Sequence, residues 1–347
     1  MKRIRTGILS LAILFIVFVA LASFAGCAKK PALRTIIIPK FEVGEMTGDF
    51  PGEAQLFYEH YCDGCEEVQI PNMPTTGHFY VNEENGVGIL VTGSSKTAAG
   101  LSLMALLSSD LYDYSDAYIV SVGCGGGSAS YCTLGDVIVV TAACDYDLGH
   151  HVDAHEKKKS NSRVMWFPDD AYMDYEFKLF DPDLCDKVFQ LTKDCPLKTT
   201  ELAKTAMAEN FAARDESEIL PSVRKGTALT GDNYWKGIYG HVTANYIAEH
   251  YGCPDPYAVT EMEEISIANT ADVYGMLDRV ISLRVIVNMD VFLNEETPES
   301  TWGDYDNYNF KVETENEETL DIFEPAMHNL FDATSIVIDK ILEGEFE

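Results

Sequence analysis

The chain has 347 residues, and its 56 acidic against 25 basic side chains leave a formal charge of −31. A surface this acidic repels nucleic acid and anionic lipid, so both are poor partners. The length suits about two average domains or one large α/β domain; strand-like and helix-like stretches alternate without an internal linker or repeat, which favours one domain.

The first residues read as an address. Lys2, Arg3 and Arg5 precede an almost wholly apolar stretch from Ile8 to Ala25, the layout of a secretory signal. Phe24-Ala25-Gly26-Cys27 resembles a bacterial lipobox, whose cleavage leaves a lipid on the new N-terminal cysteine. The expectation is a signal peptide over 1–26, a lipid-anchored tether over 27–33 with Cys27 as the lipidated residue, and a folded domain over 34–347. This places the protein outside the cytoplasm of a bacterium, anchored to a membrane. Losing Lys2, Arg3 and Arg5 takes the charge from −31 to −34. No later segment is long and apolar enough to span a bilayer.

A first strand is expected over Arg34 to Pro39. The stretch from Lys40 to Asn85 is turn-rich and has no clear period. Gly88 to Thr92 reads as a strand, followed by a helix from about Lys96 to Leu107 whose small residues Ala98, Ala99 and Gly100 suit close packing against the sheet. Ala117 to Val122 is the next strand, ending in a glycine loop from Gly123 to Ser128. Asp136 to Thr141 and Val223 to Thr230 read as further strands. Helices are expected over Asp183 to Thr192, Thr199 to Ala213 and Ile238 to His250. Glu261 to Tyr274 has helical periodicity. Val280 to Asn288 is the last strong strand. The acidic segment Asn294 to Glu318 reads as a loop or lid, and Leu320 to Leu342 as a closing helix broken near Pro325.

Eight cysteines remain after Cys27, an even number that permits disulfides without specifying their pairing. Cys62-Asp63-Gly64-Cys65 has zinc-ribbon spacing, but no second CxxC follows. His150, His151 and His155 lie near Asp147, Asp153 and Glu156 in a spacing that matches no metal motif with a mechanical reason. No metal and no cofactor is expected. The glycine run lacks both the GxxxxGK[ST] and GxGxxG patterns, so ATP and NAD are poor ligands. No GxSxG elbow is present.

Three acidic residues stand at the ends of apolar runs: Glu42 after Ile36-Ile37-Ile38, Glu263 after Tyr257-Ala258-Val259, and Asp290 after Val285-Ile286-Val287. Such runs read as strands buried on both faces of a helix-covered, mainly parallel sheet. In such sheets ligands bind beyond the carboxyl ends of the strands. Three carboxylates meeting there suit acid–base work on a polyol.

Val91-Thr92-Gly93, the glycine run, Thr133-Leu134-Gly135-Asp136, Asp153-Ala154-His155-Glu156, Thr230-Gly231-Asp232-Asn233-Tyr234-Trp235 and the stretch from Val259 to Phe292 resemble the purine nucleoside permease family. The resemblance extends to the nucleosidases of the same superfamily, whose acidic loop after the first strand and Glu-Met-Glu motif are similar to Ile38 to Glu42 and Glu261-Met262-Glu263. It implies a nucleoside phosphorylase-like fold: a three-layer αβα arrangement on a central mixed, mainly parallel sheet. It implies a purine nucleoside as ligand and homo-oligomers as common. In the phosphorylases an arginine usually precedes the glycine run to hold phosphate. Ser121 stands near that place here, which favours water as nucleophile, or binding without chemistry.

On this reading Asp290 is the acid that protonates the departing base, and Glu42 positions the attacking water. Glu263 accepts hydrogen bonds from the ribose hydroxyls and favours the sugar cation. Met262, Gly123, Gly125, Ser128, Asp232 and Tyr234 complete the binding set, and Trp235 or Tyr257 offers a stacking face. The rival readings are a receptor that passes nucleoside to a separate membrane transporter, and a phosphate-dependent phosphorylase.

Overall fold

The computed structural model describes residues 30–153, 163–169, 174–210, 219–293, 311–313 and 319–346. Cys27 and the segment before it, His155, and most of the acidic stretch 294–318 lie outside the described residues. No helix among the described residues is long and apolar enough to cross a membrane.

The first strand, β1 (Thr35–Ile38), is buried on both faces. Ile36 and Ile38 point into one core and Ile37 into the other, the two-residue alternation of a strand covered on each side. The turn-rich stretch after it holds a short helix, α1 (Gln55–Tyr61), and an antiparallel pair, β2 (His78–Asn82) with β3 (Val87–Val91). Helix α2 (Lys96–Ser108) starts at Ser95, whose side chain accepts from Ala98 N. Ala99 packs in the core, but Gly100 serves a helix–helix contact. A Cβ there would lie 2.4 Å from Ser266 Oγ, so this glycine lets another helix, not the sheet, come close.

The next strands are β4 (Tyr118–Gly127) and β5 (Val137–Asp145). A two-residue hairpin, β6 (His150–His151) with β7 (Trp166–Phe167), and a short strand β8 (Phe177–Leu179) follow. Helix α3 (Pro182–Thr192) is capped by Asp181, with proline at its first position. Then come α4 (Glu201–Asn210), β9 (Val223–Thr230), α5 (Ile238–His250), β10 (Tyr257–Glu261) and α6 (Glu264–Val273). A 3-10 turn, Leu277–Arg279, leads into β11 (Val280–Met289). A hairpin, β12 (Lys311–Glu313) with β13 (Thr319–Asp321), precedes the last helix, α7 (Phe323–Leu342). That helix is unbroken: Pro325 falls in its first turn, where the missing N–H has no carbonyl to meet.

Nine strands form one sheet in the order β10-β9-β5-β11-β4-β1-β3-β2, with β8 on β5. Pairing is mixed, mainly parallel: β1 with β3 and β4, β4 with β11, β5 with β9 and β9 with β10 are parallel, while β5–β11 is antiparallel. Helices α2, α4 and α6 pack on one face and α1, α3 and α7 on the other, giving three layers. The glycine run is strand, not loop. At Gly126 and Gly127, β4 also pairs antiparallel with β10, which closes β4, β11, β5, β9 and β10 upon themselves. The glycines make that closure possible, since a Cβ at Gly125 would meet Thr260 O at 2.5 Å.

Candidate functional site

On one edge, the neighbour of β4 changes from β1, which ends opposite Ser121, to β10, which begins opposite Gly126. Between them the edge from Val122 to Gly125 has no strand partner, and Cys124, Gly125 and Gly126 are half-exposed. This opening lies beyond the carboxyl end of β1, where strand order switches, as expected for a ligand site in an α/β sheet.

A buried ionic cluster forms one end of the opening. Arg284, on β11, is fully buried. Its Nη2 lies 3.0 Å from both Glu261 and Glu264, and its Nη1 lies 3.4 Å from Glu263 Oε2. Lys40 is also buried and donates from Nζ to Ile38 O, Ser121 Oγ and Val122 O. Glu53 accepts from Lys40 N and Cys124 N. Four carboxylates therefore share two cations. Burial lowers Lys40 to about 8, helped by repulsion from Arg284. Burial raises Glu263 to about 7; Arg284 opposes the shift and Glu261 adds to it. Burial also works to raise Glu264, but Arg284, Lys40 and Ser121 Oγ outweigh it and hold that carboxyl below its usual range.

The Glu-Met-Glu motif divides its labour. Glu261 Oε2 accepts from the N–H groups of Glu263 and Glu264 and so caps α6. Glu263 uses Oε1 to accept from Ser95 N at 3.1 Å and leaves acceptor capacity on both oxygens. Ser95 holds φ at 110°, a conformation costly for a side-chain-bearing residue and common at ligand clamps. Met262 is half-buried beside it.

Asp290 lies at the other end of the glycine run. It is 2% exposed, and its side chain has three close partners: Oδ1 accepts from Ala129 N at 3.0 Å, and Oδ2 meets His241 Nδ1 at 2.7 Å and Tyr257 Oη at 3.0 Å. Its main chain bonds Gly127 and Gly237. Tyr257 is committed to this network and buried, so its ring offers no open stacking face. Two residues before Asp290, Asn288 is half-buried and faces Gly126: a Cβ on that glycine would lie 2.8 Å from Asn288 Oδ1. Its amide makes no hydrogen bond among the described residues. Sequence reading missed Asn288 because an amide inside a strand carries no charge signal; its place beside an acidic strand end was the available clue. From Gly123 to Gly126, which pairs with Asn288, the strand advances about 10 Å, the scale of a ribose and its base.

Glu42 is placed differently. Its carboxylate accepts from the N–H groups of Val43, Gly52, Ala54 and Gln55; the last two are orphan donors at the start of α1. Burial raises its pKa while these donors oppose the shift. The acid of this segment that reaches β4 is Glu53, eleven residues on.

Among the other expected residues, Gly123 fits between Arg284 Nη1 and Glu53 Oε1. Ser128 is buried, with Oγ 3.2 Å from Ser130 Oγ. Asp232 accepts from Lys96 N and donates its own N–H to Asp147. Lys96 Nζ bridges Asp145 and Asp147 at 2.9 Å, a rim of paired charges. Tyr234 is 58% exposed, while Trp235 stacks on Tyr146 at 4.9 Å. His150 is exposed beside Asp169, and His151 reaches Asp147 O.

Comparison with known proteins bears on the family and the fold. The family model described as purine nucleoside permease matches residues 32–345. A Schizosaccharomyces pombe protein named "Probable purine nucleoside permease C285.05" is 25% identical over 227 residues, 60% of this chain; the match spans 64% of that relative. Among solved structures, the 5'-methylthioadenosine/S-adenosylhomocysteine nucleosidase of Neisseria meningitidis, in complex with methylthio-immucillin-A, superposes with a TM-score of 0.52 at 16% identity, covering 89% of this chain and 100% of that one. The corresponding Campylobacter jejuni nucleosidase gives 0.53 at 14% identity over 90% and 100%. Futalosine hydrolase of Helicobacter pylori gives 0.51 at 12% over 88% and 97%. These structures share the nucleoside phosphorylase-like fold with this chain, and by the family match the chain belongs to the purine nucleoside permease family.

Proposed function

We propose that the opening along β4 binds a purine nucleoside, with the ribose hydroxyls on Glu263 and the base along Gly125 and Gly126 against Asn288. The observation that carries this reading is the strand-neighbour switch on β4, with an acceptor carboxylate at one end and, at the other, an amide that makes no hydrogen bond among the described residues. Charge-assisted bonds from two hydroxyls to one carboxylate give orientation as well as affinity.

Binding without turnover is the reading best supported. The carboxylate of Glu42 already accepts four N–H groups, and that of Asp290 has three partners. Hydrolysis of the N-ribosidic bond is the second reading. Four carboxylates around two cations favour a sugar that becomes positive in the transition state. Under that reading Asp290 donates the proton to the base, Asn288 orients the base by hydrogen bonding, and Glu42 holds the water. Phosphorolysis has the least support: the cations beside Glu263 among the described residues, Arg284 and Lys40, are already outnumbered by carboxylates. The protein would act outside the cytoplasm, held to the membrane by lipid on Cys27, and would pass nucleoside to a separate transporter.

Titrating the purified chain with inosine and adenosine by calorimetry, and assaying free base with and without phosphate, tests all three. Saturable binding without base release supports the receptor. Release without phosphate supports hydrolysis, and strict phosphate dependence supports phosphorolysis. Absence of binding to any purine nucleoside ends the proposal. Metabolic labelling with a radioactive fatty acid, lost in Cys27→Ser, tests the anchor.

A further inference from the structure

Two cysteines far apart in sequence touch in space. Cys144 Sγ and Cys253 Sγ are 3.4 Å apart across 109 positions of chain. Both backbones are held independently of that contact. Cys144 lies in β5, in register with Leu229 on one side and Phe177 on the other. Cys253 closes α5: its N–H bonds Ala248 O, the N–H of Gly252 bonds Glu249 O, and Gly252 takes φ of 63°. That pair of bonds is a Schellman stop, which fixes where the Cys253 side chain points. Cys144 is fully buried, whereas Cys253 is half-exposed, so a reagent reaches the second sulfur first.

We propose that Cys144 and Cys253 are a built cross-linking site, closed to a disulfide by exchange with a small disulfide oxidant. The Cys253 thiolate attacks the oxidant's S–S bond and expels one thiolate, leaving a mixed disulfide. Cys144 then attacks the Cys253 sulfur and expels the second thiolate. Two protein thiols lose two electrons and two protons, and the oxidant becomes two thiols. Contact with Cys144 lowers the Cys253 thiol below its usual range, which suits it to the first step. Closing the bond brings the sulfurs from 3.4 Å to about 2.05 Å, within reach of side-chain rotation.

The link matters for the opening along β4. Cys144 immediately precedes Asp145, which holds Lys96 at the rim. Helix α5, which Cys253 terminates, carries His241 against Asp290. A covalent tie between them joins two walls that strand pairing leaves separate.

The test treats the purified full chain with oxidised glutathione, alkylates it, and maps peptides without reduction. We expect a linked pair of peptides containing Cys144 and Cys253, 2 Da lighter than the two thiol peptides together, that disappears with dithiothreitol. The oxidised chain should melt about 5 °C higher than the reduced chain. Cys253→Ser, a change at a half-exposed position, should remove both effects and leave the reduced melting point near wild type. Alkylation of both cysteines after oxidant treatment overturns the proposal. So does a stable glutathione adduct on Cys253, or its pairing with another cysteine.

Discussion

The two ends of the glycine run in β4 are both buried and both polar, yet they are built on different principles. At the Gly123 end, Arg284 and Lys40 are shared among Glu53, Glu261, Glu263 and Glu264, so charge is crowded and unevenly matched. At the Gly127 end, Asp290 is the lone carboxylate among three close partners: His241, Tyr257 and Ala129 N. The first arrangement leaves a carboxylate in surplus, able to accept from a ligand. The second has more partners than carboxylates and fastens the end of β11 to α5 and to the turn after β4. A buried acid at a strand end is thus not by itself a catalytic acid; whether its partners are already complete decides.

Removing the cation from the crowded end should have the largest effect. Arg284→Met leaves Glu261, Glu263 and Glu264 facing one another, and we expect a loss of about 3–5 kcal/mol in urea unfolding. A loss under about 1 kcal/mol would show that the cluster is not held by charge. Next, Glu263→Gln should weaken nucleoside binding by about 10- to 100-fold, the size of a charge-assisted hydrogen bond. Unchanged affinity in calorimetry removes Glu263 from the site. At the opposite end, Asp290→Asn should cost about 1–3 kcal/mol of stability and change affinity less than Asn288→Ala, for which about a tenfold loss is expected. If base release occurs and disappears in Asp290→Asn at unchanged melting point, the contrast between the two ends fails. Glu42→Gln should cost about 1 kcal/mol, as for a lost helix cap.

The crowded end also predicts a pH dependence. Burial raises Glu263 to about 7 and, outside that cluster, Asp136 beside Arg224 to about 6, above the unfolded carboxylate values. Each therefore contributes stability that is full below about pH 4 and is lost as pH rises through its folded value. Lys40, lowered to about 8, costs stability below that value, and the cost is relieved as pH rises toward about 10.4. The melting point should fall between about pH 4.5 and 7.5 and recover in part between about pH 8 and 10. Glu263→Gln should reduce the slope near pH 7, by on the order of 1–3 kcal/mol across the window. A slope unchanged in that variant would mean that Glu263 does not titrate there.

Much of the fold was legible in the residues. The apolar runs from Ile36 to Ile38 and from Val223 to Thr230, and the helix from Ile238 to His250, stand where periodicity places them. Burial on both faces leaves few alternatives for β-branched runs. Boundaries failed where a neighbour overrode propensity. Gly123 to Gly127 reads as a loop because glycine is a poor strand former, but β11 and β10 supply the partners that extend it. Glu261 looks helical, yet it ends β10 and caps the helix that follows.

The order of apolar and polar residues along the chain determined the layers, the strand directions and the family, since each follows from local periodicity and from motifs a few residues long. Which carboxylates remain available is another kind of property. Glu42, Glu263 and Asp290 look alike as strand-end acids, and only their partners separate them: backbone donors for Glu42, an outnumbered arginine for Glu263, a histidine and a tyrosine for Asp290. Those partners come from segments between one and 49 positions away, so the tertiary arrangement, through burial and hydrogen-bond saturation, decides them.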